Sequence, residues 1–86
     1  MCYSVEVYYP PPPDAKREAT LATSIAYFGG RLGFREVANE NRSSSICLTY
    51  EFDDVTKANC AAEALRRRGE HVEGPAEYIT PRQTDD

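Results

Sequence analysis

The chain has no basic excess, no long apolar run, no paired-cysteine motif and a single histidine, and each absence removes a class of function. Its 14 acidic residues outnumber 10 basic ones, for a net charge of −4. Proteins that hold nucleic acid mainly through phosphates carry the opposite balance, so that partner is not expected. No stretch reaches the ~18 consecutive apolar residues of a membrane span. The opening MCYSVEVYY lacks the basic and apolar regions of a secretory signal, and the expected location is cytoplasmic. Cys2, Cys47 and Cys60 are odd in number and widely spaced, unlike a disulfide framework. With no C-x-x-C, and with His71 alone, a zinc site would have to gather distant residues. Reduced thiols, no metal and no cofactor are the expectation.

What remains is the composition of a folded domain: 86 residues, 41% hydrophobic and 28% charged. That length gives one core and buries roughly 60–65% of the unfolded surface. The clearest signals lie in the second half. Residues 46–52 (ICLTYEF) alternate, with Ile46, Leu48, Tyr50 and Phe52 on one face and Cys47, Thr49 and Glu51 on the other. Asp53 or Asp54 then caps a helix over 54–68, which Gly69 stops. Its expected buried stripe is Val55, Ala58, Ala61, Ala62 and Leu65, and Arg66 to Arg68 form a solvated end. Gly74-Pro75 turns the chain into a strand over 76–80, and 81–86 reads as a frayed tail of a domain spanning 1–80.

The first half repeats the plan. Residues 2–9 read as a strand whose inner face is Tyr3, Val5, Val7 and Tyr9, followed by a proline connector, Pro10 to Pro13. A helix starts near Pro13 or Asp14 and ends at Gly29-Gly30. Its stripe is Leu21, Ile25, Phe28 and Leu32, flanked by Ala15, Ala19 and Ala22, with Lys16, Arg17 and Glu18 in solvent. Residues 34–40 make a weaker strand, and Asn41 to Ser45 a hairpin turn. The order βαββαβ predicts a ferredoxin-like α+β fold: a four-stranded antiparallel sheet with both helices on one face.

One sheet face is then open, and Tyr8, Thr49 and Tyr78 are its candidate binding residues. RNA-recognition domains share this topology and stack bases on sheet aromatics, but no K/R-G-F/Y-G/A-F run is present. The opening Met1-Cys2-Tyr3-Ser4 is similar to the start of some members of the SOS-response-associated peptidase family. In that family an N-terminal cysteine attacks DNA abasic sites. Over those four residues the resemblance implies Cys2, freed by loss of Met1, as a nucleophile. The chain is far shorter than that family's domain. An enzyme would otherwise need a pocket between the sheet and Arg31–Arg35, read as a loop. Glu70, His71 and Glu73 sit in another expected surface loop.

Gly29 to Gly33 follows a helix, the wrong context for a phosphate loop. With no catalytic constellation evident, the leading reading is a non-enzymatic protein-interaction or regulatory module. It is expected to form a homodimer through the open sheet face or an edge strand. A small-ligand-binding domain is the third class.

Overall fold

Two aspartates begin the two helices. In the computed structural model, which describes residues 2–37 and 45–78, Asp14 accepts the Arg17 N–H at 3.0 Å and starts α1 (Ala15–Tyr27). Asp54 accepts the Thr56 N–H at 2.8 Å and starts α2 (Val55–Arg67). Gly29 and Gly69, at φ +88° and +93°, end the helices in a conformation that favours glycine.

The strands are β1 (Cys2–Tyr9), β2 (Arg31–Val37), β3 (Ile46–Phe52) and β4 (His71–Tyr78), giving the order β1-α1-β2-β3-α2-β4. They form one antiparallel sheet in the order β2-β3-β1-β4. This is the ferredoxin-like arrangement predicted from the sequence. The core lies between sheet and helices: Val5, Val7 and Tyr9 from β1, Ile46, Leu48, Tyr50 and Phe52 from β3, and Val72 from β4. Leu21 and Ile25 from α1 meet them, as do Ala58, Ala61, Ala62 and Leu65 from α2. Tyr3 and Phe28 pack against this layer, half-buried.

Several expectations are corrected. Leu32 does not belong to α1, because Gly29 ends that helix first and β2 starts at Arg31 rather than at 34. β2 runs along all of β3, from Arg31 opposite Glu51 to Val37 opposite Ile46, so the segment Arg31–Arg35 is strand and not loop. Ala15, Ala19, Ala22 and Val55 are exposed, since each helix buries only a narrow stripe. β4 begins at His71, so His71 and Glu73 are strand residues. Gly74-Pro75 lies within that strand, where the pairing with β1 shifts register between Ser4 and Glu6. A side chain on Gly74 (φ +103°) would place its Cβ 2.7 Å from the Ser4 carbonyl oxygen, so the bulge needs glycine. The expected hairpin at 41–45, apart from Ser45, and the expected tail at 81–86 lie outside the described residues.

Candidate protein interface

Strand pairing fixes which side chains share the open face. Across the sheet in the order β2-β3-β1-β4, one row is Arg31, Glu51, Ser4 and Ala76. The next is Phe34, Thr49, Glu6 and Glu73, and the last is Glu36, Cys47, Tyr8 and His71. Four glutamates therefore face one arginine on these strands. The remaining described residues carry seven acidic and seven basic side chains, which cancel. The negative balance of the described chain is concentrated on the side that no helix covers.

Tyr8 is half-buried there. Its hydroxyl donates to Glu6 Oε1 at 2.9 Å, and its ring meets His71 edge-on with centroids 5.6 Å apart. Donation to the Glu6 carboxylate, aided by burial, raises the phenol above its usual range. Thr49 lies on the same face but is 7% exposed, beside Phe34 and Glu6. The main chain of Tyr78 pairs with Cys2; its side chain lies outside the described residues. Sequence reasoning placed Tyr8 and Thr49 on a common face. It missed Phe34, which the bulge between Leu32 and Phe34 turns onto that face.

The two sheet edges differ. On β4, Pro75 has no N–H to offer a docking strand. Arg66 Nη2 donates to the carbonyls of Val72 at 3.2 Å and Gly74 at 2.8 Å, occupying two main-chain acceptors. Glu73 and Glu77 add charge along the same strand. On β2, Leu32 is 51% exposed, Phe34 56% and Val37 39%. Among the described residues no strand pairs with its outer side. Both edge strands carry a bulge, so bulging does not separate them. Apolar exposure and the arginine clamp do.

The triple arginine is a set of structural ties. Arg66 holds β4, Arg67 pairs with Glu63 at 3.6 Å, and Arg68 Nη1 donates to Ser24 Oγ at 2.8 Å, joining the helices. Arg17 and Glu18 are also corrected: both are half-buried. The Tyr9 hydroxyl accepts the Asp14 N–H at 2.9 Å and donates to Glu18. Arg35 grips both Glu18 oxygens, at 2.8 and 3.1 Å, and so fastens β2 to α1. Arg17 lies over the Tyr9 ring, 5.0 Å from its centroid, and reaches Glu70 at 2.9 Å. The signal was available: Glu18, Leu21, Ile25 and Phe28 fall on one helical stripe, and a carboxylate there needs a partner.

Among the described residues, Cys2 and the single histidine are held apart. Cys2 pairs with Tyr78 and His71 with Tyr8, which sets them roughly 20 Å apart along the strands. Burial raises the Cys47 thiol above its usual range. All three cysteines are free, and no group of His, Cys, Asp and Glu among the described residues has the geometry to hold a metal ion. No described helix is long and apolar enough to cross a membrane. One depression, about 500 Å³, is an open groove over α2 lined by Phe28, Asn59, Cys60, Glu63, Ala64 and Arg67. The Glu63–Arg67 pair belongs to its lining. No protein-family model matches this chain, and no curated protein matches it either.

Proposed function

We propose that this chain is a non-enzymatic protein-interaction module that docks through the outer edge of β2. The observation that carries this reading is the asymmetry of the edges. β2 exposes Leu32, Phe34 and Val37, whereas β4 is closed by Arg66 and Pro75. An exposed strand edge supplies main-chain hydrogen bonds, and apolar side chains beside it supply buried area. The open face is less suited to self-association, because two copies laid face to face would oppose Glu6, Glu36 and Glu73 of each. The same glutamates oppose a phosphate backbone. The free thiols favour a reducing compartment such as the cytoplasm.

A random library of linear peptides displayed against the domain tests the reading. Selected peptides should shift the amide resonances of Arg31–Val37, bind with Kd in the range of about 1–100 μM, and lose binding to Phe34→Asp. Peptides that shift α2 or β4 instead, and bind Phe34→Asp normally, would count against it.

A further inference from the structure

We infer that the occupant of the β2 edge is a second copy of this chain, paired antiparallel about a two-fold axis through Phe34. This rests on the reading of β2 as the docking edge and adds the partner and the register.

The inference comes from the order of side chains on β2. Gly33 lies at the bulge, where a Cβ would run into the Glu51 side chain. Pairing with β3 then places Arg31, Phe34 and Glu36 on the open face, and Leu32, Arg35 and Val37 on the helix side. Along the open face the series is positive, aromatic, negative. Reversed, that series is its own complement. A two-fold axis perpendicular to the sheet through Phe34 sets Phe34 against Phe34. With Gly33 left unpaired on both strands as the bulge residue, it sets Arg31 of each copy against Glu36 of the other, and Leu32 against the aliphatic stem of Arg35. Directly opposed residues of an antiparallel pair must share a face, and this register satisfies that condition at every position named.

Registers shifted toward the C-terminal end of β2 fail on charge. An axis through Glu36 opposes the two Glu36 carboxylates, and one through Arg35 opposes the two Arg35 guanidinium groups while facing Phe34 with Glu36. The result of the Phe34 register is an isologous dimer with one continuous eight-stranded sheet and all helices on one side. Arg31 is accessible for this role, with half of its side chain exposed and only loose contacts to Glu51 at 3.4 Å and Asp53 at 3.6 Å. A seven-residue strand is a small interface, which sets the expected Kd at about 10–100 μM.

The test is sedimentation equilibrium of the wild type, Arg31→Glu, Glu36→Arg, and an equimolar mixture of the two variants. Melting temperatures would establish that both variants fold, and Glu36→Lys provides a second reversal at a position with no ion-pair partner among the described residues. Each variant alone places two like-charged pairs in its own dimer, and its self-association should weaken about tenfold to thirtyfold. The mixture pairs a carboxylate with a guanidinium at both sites and should recover an affinity within about threefold of the wild type. A wild-type dimer disrupted by Phe34→Asp, with a mixture no tighter than either variant, would overturn the register and leave β2 docking standing. A wild type that stays monomeric to about 1 mM would overturn the second-copy inference. Peptide selection would then judge the docking edge separately.

Discussion

Phe52→Ala should lower the stability of the domain by about 3–5 kcal/mol, measured by denaturant titration. Phe52 ends β3 fully buried, and its ring fills the space beside the turn after α1. A Cβ built on Gly30 would fall 2.5 Å from two ring carbons and 2.9 Å from Ile25 Cγ2. The ring is thus seated directly on backbone, where only glycine leaves room. A domain of this size has roughly 4–13 kcal/mol in total, so the loss leaves it near its unfolding threshold. The contact also makes a coupled prediction. Gly30→Ala should cost about 1–3 kcal/mol in the wild type, because the added methyl overpacks the core. In the Phe52→Ala background the vacated space accepts that methyl, and the cost should fall below half. Additive costs would show that the ring and the glycine do not share the space described.

Glu18→Gln should remove about 1–3 kcal/mol at neutral pH and flatten the acid limb of the stability profile. The Glu18 carboxylate is held below its ordinary range first by the Arg35 hydrogen bond, and then by the Tyr9 hydroxyl, against the opposing effect of burial. A carboxylate with a lowered folded pKa contributes stability that is present above its unfolded value, near 4.3, and lost as pH falls through the folded value. The alkaline limb has the opposite sign. Burial raises both Tyr9 and Tyr50 above the usual phenol range, with Glu18 adding to the rise at each. Their contribution is complete below about pH 10 and lost as pH rises further. Thermal unfolding across pH should show a plateau near neutrality with a decline on each side. An acid limb unchanged by Glu18→Gln would show that the Tyr9–Glu18–Arg35 link contributes nothing to folding.

The fold was legible because each element carries more than one agreeing signal. β3 alternates without a break from Ile46 to Phe52, and α2 has both an aspartate cap and a glycine stop. β1 reads as cleanly. β2 did not, because it buries nothing: all seven of its residues are exposed, so no apolar alternation marks its start. The same property makes it the candidate interface, so the strand on which the proposal rests is the one least visible in the sequence. β4 was misjudged for a different reason. Gly74-Pro75 is the composition of a turn, yet an edge strand tolerates a missing N–H, and the bulge opposite Ser4 absorbs the backbone distortion. The Glu18 link required long-range geometry, since Tyr9, Glu18 and Arg35 come from three elements. Only the helical stripe through Glu18 hinted at it. Tyr8 and Thr49 were placed on one face by simple alternation, but the density of glutamates around them emerges only from strand order.

The most direct measurement of the central claim is residue-resolved amide hydrogen exchange at concentrations from roughly 20 μM to roughly 1 mM. If β2 is the edge at which this protein meets its partner copy, outward-pointing amides within Arg31–Val37 slow as concentration rises. Those of β4, where Arg66 already occupies the Val72 and Gly74 carbonyls and Pro75 offers no N–H, hold a constant rate. Slowing confined to β4 or to the helix surface, with β2 indifferent to concentration, would contradict the assignment of β2 as the docking edge.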